Sequence, residues 1–225
     1  MAALFLVLTL VAFGLTIWAQ FRVKGTFNKY AEVPNMNGMT GYDAARHMLD
    51  SNGLYDIPIE PVQGSLTDHY DPVHRVVRLS EPVYYGNSIS AVAVACHEIG
   101  HAIQHKEHYP MLALRHRMFP VVNFASGIAP FMLMAGLIFS SMNLLGLGII
   151  FFSAAVAFQL VTLPVEFNAS NRARDVMVSE GYVSREEERS VGKVLNAAAL
   201  TYVAAALLSV LELARYLFLF FGNRD

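Results

Sequence analysis

The stretch Cys96-His97-Glu98-Ile99-Gly100-His101 carries the H-E-x-x-H spacing. On a helix this places His97 and His101 one turn apart on one face, close enough to bind a single Zn²⁺, with Glu98 beside them. The chemistry that follows is water activation. Zinc lowers the pKa of its bound water to about 7, and a carboxylate that is not itself a ligand can take the proton and return it to a leaving amine. His97 and His101 are therefore candidate metal ligands, and Glu98 is the candidate catalytic base.

These residues need a helix to position them, and the neighbouring sequence supplies one over about 88–108. Asn87 or Ser88 can cap its start, the run Ala91-Val-Ala-Val-Ala-Cys96 is apolar, and Pro110 bars continuation. Small apolar residues just before His97 imply that the helix is buried, where two histidines and a glutamate without partners would be costly. Cys96 is the only cysteine, which excludes an intrachain disulfide framework and a cysteine-rich metal site. Its side chain is turned about 100° from His97 and reads as a small buried hydrophobe.

The chain of 225 residues is 55% apolar and 15% charged, with a mean hydropathy of +0.41, the composition of a membrane protein. Residues 1–20 form an apolar segment whose positive charges, Arg22, Lys24 and Lys29, follow it rather than precede it, and Trp18 falls at its end. This is the pattern of a retained anchor rather than a cleaved leader. Residues 21–118 have the composition of a water-exposed domain. Val121–Ser141 and Leu144–Val165 are each long enough to span a bilayer and so close in sequence that they form a hairpin over 121–165. A polar segment, 166–193, precedes a last apolar block, 194–221, containing Glu212 and Arg215, which are spaced to pair on one helix face. Nine Lys and Arg lie between Arg22 and Arg117 and five between Arg172 and Lys193. The positive-inside rule then puts both polar segments in the cytoplasm and both termini outside. The expected fold class is mainly α, integral to the membrane, with about four transmembrane helices and a cytosolic α+β zincin-like domain between the first and second. The net charge of −2 says little about partners; a lipid bilayer is expected, and nucleic acid is not.

Inside 21–118, Thr40–Asp50 has the pattern of a short amphipathic helix that stops at Ser51-Asn-Gly53. Asp68-His-Tyr-Asp71 leads into His74–Ser80, whose β-branched pair suggests a strand. A free edge there could hold an extended peptide across the metal; the alternative is a packing strand in a small sheet.

Catalytic zinc commonly takes three protein ligands. His105, Glu107 and His108 lie close to the motif. Glu107 stands at the offset where metzincins place a third histidine, but Gln104 occupies the position of their glycine turn. His105 continues the helical stripe about 12 Å along the axis from His97, too far for one tetrahedral ion. Glu166, in Pro164-Val-Glu-Phe-Asn-Ala-Ser170, falls at the cytoplasmic end of the third span. From the residues alone it is equally a ligand or an interfacial acid.

Three stretches together, Cys96–His105, Thr67–Ser80 and Pro164–Ser170, resemble the YugP-like family of neutral zinc metallopeptidases of bacterial membranes, a gluzincin-like group, across nearly the whole chain. The resemblance implies that His97, His101 and Glu166 bind one catalytic zinc ion, with Glu98 as base. The last stretch is also similar to membrane proteases of the HtpX and CAAX-processing type, which follow their ligand glutamate with Ala-Asp. Here Ser170 follows Ala169, so Asn168 or Asp175 is expected to orient a histidine instead.

The expected function is that of a membrane-embedded zinc endopeptidase of the cell membrane, multi-pass, with its active site facing the cytoplasm and acting on membrane-associated proteins or peptides. Tyr84, Tyr85, His69 and His74 have chemistry suited to an oxyanion. Two other classes fit the same residues. One is a non-catalytic zinc scaffold that binds a membrane-protein partner. The other is a metal-ion carrier with a relay of His69, His74, His97, His101, His105 and His108. Glu98 discriminates, because only proteolysis requires its carboxylate.

Overall fold

The computed structural model describes residues 2–222 and is mainly helical, with one small sheet. In chain order the elements are α1 (Ala2–Ala31), α2 (Gly41–Ser51), β1 (Ile59–Val62), β2 (His69–Asp71), β3 (Val76–Ser80), α3 (Glu81–Tyr84), α4 (Ile89–Lys106), α5 (Pro110–Ile138), α6 (Met142–Ser179) and α7 (Arg185–Gly222). They form two compact units.

One unit comprises residues 2–19, 110–164 and 200–222 and is built from parts of α1, α5, α6 and α7. Among the described residues, these four helices are long and apolar enough to cross a membrane. All four run beyond the apolar blocks. α1 continues past Arg22 and Lys24 to Ala31, α5 begins at Pro110, α6 reaches Ser179 and α7 begins at Arg185. α5 carries Pro120 inside the helix, and Pro110 stands at the first helical position, where proline is tolerated. The hairpin of α5 and α6 is closed by residues 139–141 with their backbones nearly in contact. A Cβ on Gly136 would lie 2.5 Å from the Leu145 nitrogen, and one on Gly148 would lie 2.7 Å from the Leu133 nitrogen. On α7, Arg215 pairs with Glu212 at 2.6 Å and lies 4.5 Å over the Tyr216 ring, the structural pairing that their spacing suggests.

The other unit comprises Gln20–Tyr109 and Val165–Ala199, so the polar stretch after Pro164 folds together with the segment before α5. Its core gathers Met48 and Leu49 of α2, Val77 and Leu79 of β3, Val92 and Ile99 of α4 and Met177 of α6. α2 is set by a capping box between Thr40 and Asp43, and Asn52 and Gly53 (φ 65°) end it. The sheet order is β1-β3-β2. β3 pairs parallel with β1 (Ile59 opposite Val77) and antiparallel with β2 (Tyr70 opposite Val77). Of the two readings of His74–Ser80, the structure shows the packing strand of a small sheet and no free edge. β3 is the central strand, with Val76, Val77, Leu79 and Ser80 all buried, and its hydrogen-bonding groups face neighbours on both sides.

Candidate metal centre

α4 carries the H-E-x-x-H residues, and its limits follow from local chemistry. The Ser88 Oγ accepts from the Ala91 amide at 3.2 Å, resolving the choice between Asn87 and Ser88 as cap. At the other end His108 takes φ 53°, and the Tyr109 amide donates to the Gln104 carbonyl at 2.9 Å, a Schellman closure. Cys96 is fully buried, as its neighbours imply, and burial pushes its thiol pKa up.

α6 comes close enough to α4 to add a third donor because Gly100, inside the motif, has no side chain. A Cβ there would lie 2.6 Å from the Ala169 carbonyl oxygen. This backbone contact brings one donor atom each of His97, His101 and Glu166 within 4.8 Å of one another. The Glu166 Oε2 lies 3.3 Å from the His97 Nε2 and 3.6 Å from the His101 Nε2, and its side chain is buried. Two bonds of 2.0–2.1 Å at a tetrahedral angle place their donor atoms about 3.3 Å apart, so both Glu166–histidine separations suit one zinc ion. The donor chemistry, two imidazoles and one carboxylate, suits the same metal. Burial disfavours protonation of His101, but the adjacent Glu166 carboxylate outweighs it and holds the ring pKa above its ordinary value.

The far side of each imidazole is also engaged. The Ser170 Oγ lies 3.1 Å from the His97 Nδ1. Gln104, fully buried, places its Oε1 3.0 Å from the His101 Nδ1 and donates through Nε2 to the Val165 carbonyl (2.8 Å) and the Asn168 Oδ1 (2.9 Å). The Val165 carbonyl can only accept, so it fixes which end of the Gln104 amide faces which way. With Oε1 toward His101, the His101 Nδ1 must carry the hydrogen. In the neutral ring its Nε2, on the Glu166 side, is then the nitrogen that can bind a metal. Arg172 extends the network, donating to the Asn168 Oδ1 at 2.8 Å and pairing with Glu107 at 2.7 Å. The orienting roles expected of Asn168 and Asp175 are thus filled differently. Ser170 itself meets His97, and Asn168 acts one step removed, through Gln104.

Glu98 is buried on the strand side of α4, where its Oε2 accepts the Tyr70 backbone N–H at 3.0 Å. That N–H points away from β3, so the outer edge of β2 holds the carboxylate. β2 is in turn tied down by Asp68, which accepts from the Ser80 amide at 2.7 Å and from its hydroxyl at 3.0 Å. Burial pushes the Asp68 carboxyl pKa up against those bonds, and the charge of Glu98 adds to the rise.

Among the described residues, the remaining histidines are placed elsewhere. His69 Nδ1 lies 2.9 Å from the Thr67 carbonyl, His74 pairs with Asp71 at 2.7 Å, and His105 Nδ1 meets the Tyr70 hydroxyl at 2.8 Å. No six-histidine relay is assembled. Tyr84 packs its ring against Tyr42, tilted, and against Tyr85, edge to face. Tyr70, Gln104 and Ser170 take roles at the site that the sequence does not assign to them. Tyr70 acts through its backbone, which leaves no residue-type signature, and Ser170 stands where a carboxylate is expected.

Across residues 5–221 the chain matches the family model described as "Putative neutral zinc metallopeptidase". The chain belongs to this family. A relative from Bacillus subtilis (strain 168), described as "Putative membrane protease YugP", is 63% identical over 222 residues, covering 99% of each chain. No solved structure matches. Membership of a zinc metallopeptidase family implies zinc, and His97, His101 and Glu166 are the residues whose geometry suits it.

Proposed function

We propose that this protein is a zinc-dependent endopeptidase embedded in the membrane, with its catalytic unit at the cytoplasmic face. It hydrolyses peptide bonds of membrane-associated proteins or peptides. The observation that carries the reading is the Nε2, Nε2 and Oε2 triangle of His97, His101 and Glu166, with a buried carboxylate, Glu98, on the same helix. Zinc bound there supplies Lewis acidity toward the scissile carbonyl and acidifies the attacking water. His97 and His101 present Nε2 because Ser170 and Gln104 engage their Nδ1 atoms, and Glu166 adds the charge that offsets part of the cation's own. Glu98, steadied by the Tyr70 N–H on one oxygen, accepts the proton of water and delivers it to the leaving amine. The excess of Lys and Arg in the segments flanking the four apolar helices supports the cytoplasmic orientation.

The test is zinc content and casein or self-cleavage of the detergent-purified full chain beside Glu98→Gln and Glu166→Ala. The expected result is cleavage by wild type, zinc without cleavage for Glu98→Gln, and loss of zinc for Glu166→Ala. Equal zinc in all three proteins would remove Glu166 from the site, and cleavage by Glu98→Gln would refute the mechanism.

A further inference from the structure

Behind Tyr70, on the side of its ring, a cavity of about 290 Å³ opens between the end of α4, the α2–β1 connection and the β2–β3 turn. It has room for one amino-acid side chain. Its floor is apolar around Leu54 and Ile57, and its wall is the bonded pair of Tyr70 and His105. The other polar lining residues, Arg75, Lys106 and His108, are all basic in type, and no carboxylate lines the cavity.

The backbone here is unusual in a way that points to use. Arg75 and His108 both take φ 53°, and they are two of the four non-glycine residues with positive φ among those described. One lies in a strand–strand turn and the other at a helix C-terminus, positions where glycine or asparagine is the unstrained choice. An arginine and a histidine stand there instead, and both line the same cavity. Arg75 also pairs with Asp56 at 2.9 Å, but both side chains are more than half exposed, a pair weak enough to exchange. Lys106 donates to the Asn52 carbonyl, and Glu107 is turned away to Arg172. Burial, then the charges of Arg75 and His108, press the His105 pKa down, which suits a neutral ring accepting the Tyr70 hydroxyl.

Tyr70 joins this cavity to the chemistry, because its ring lines the cavity while its backbone N–H holds Glu98. We propose that the cavity is a specificity subsite that receives an acidic side chain, aspartate or glutamate, of a peptide bound across the metal centre; this rests on the peptidase reading. The apolar floor takes the methylene groups, and Arg75 and Lys106 take the carboxylate. A peptide carboxylate fits this mixed lining better than inorganic phosphate, which has no apolar part.

The test uses the zinc-loaded full chain, ¹⁵N-labelled at histidine, titrated with N-acetylglutamate amide, N-acetylglutamine amide and inorganic phosphate. The expected result is a saturable shift of the His105 and His108 ring signals with the glutamate amide. Binding should be at least tenfold weaker for the glutamine amide, lost in Arg75→Gln and kept in Arg75→Lys. Equal response to both amides, response to phosphate alone, no response at all, or shifts confined to His97 and His101 would each overturn the subsite. Because nothing is cleaved in this titration, a protein without peptidase activity that still discriminates the amides would separate failure of the peptidase reading from failure of the subsite.

Discussion

Replacing Gln104 separates metal positioning from simple packing. Gln104→Met keeps the buried volume but removes the acceptor for His101 Nδ1–H and the donor to the Val165 carbonyl. Asn168 keeps its Arg172 bond. The volume is conserved, but the His101 Nδ1–H that faces this buried position is left without its acceptor, which costs about 1–3 kcal/mol in stability. The imidazole also loses the bond that fixes its orientation, and loss of such a partner weakens zinc binding by roughly 10–100-fold. Gln104→Glu does the opposite. It preserves an acceptor for His101 but sets a buried carboxylate against the Val165 carbonyl, a loss of about 1–3 kcal/mol in stability. The assay is zinc affinity by chelator competition in detergent, paired with thermal unfolding of the metal-free protein. Both variants should unfold earlier than wild type, but Gln104→Met should hold zinc roughly 10–100-fold more weakly while Gln104→Glu holds it within a few-fold of wild type. If zinc affinity simply follows thermal stability in both variants, Gln104 is a packing residue and the reasoning fails.

Three further outcomes follow from the same geometry. Gly100→Ala puts a methyl against the Ala169 carbonyl and must push α4 and α6 apart, so it should lower stability by about 1–3 kcal/mol and weaken zinc uptake; unchanged zinc affinity would show that the close approach is not needed. Asp71 bonds His74, Arg78 and the backbone of the β2–β3 turn, and these bonds, His74 foremost, hold its carboxyl well below the usual carboxylate range. A carboxyl pKa depressed by folding stabilises above the unfolded value of about 3.9 and loses that contribution as pH falls toward the folded value. The difference in melting temperature between wild type and Asp71→Asn should therefore shrink as pH falls below about 4; a difference that grows from about pH 4 to about pH 2 would contradict this. Cys96 is fully buried with its thiol pKa pushed up, so a maleimide should label it only after denaturation, and rapid labelling of the folded protein would mean that α4 opens locally.

The sequence by itself determined what depends on neighbours along the chain. A spacing of four puts His97 and His101 on one helical face whatever surrounds them, a cap at Asn87 or Ser88 and the apolar run set that helix, and the apolar blocks announce four membrane-crossing helices. The tertiary structure decided what depends on backbone approach. From the residues alone Glu166 is equally an interfacial acid, and its place 3.3 Å from His97 follows from the contact of Gly100 with Ala169, which no local pattern encodes. The same holds for β3, whose β-branched pair cannot reveal that β1 returns parallel on its far side. Gln104 shows the limit best. In sequence it is only the residue that breaks the metzincin pattern, and it becomes a partner of His101 because α6 presents the Val165 carbonyl to it.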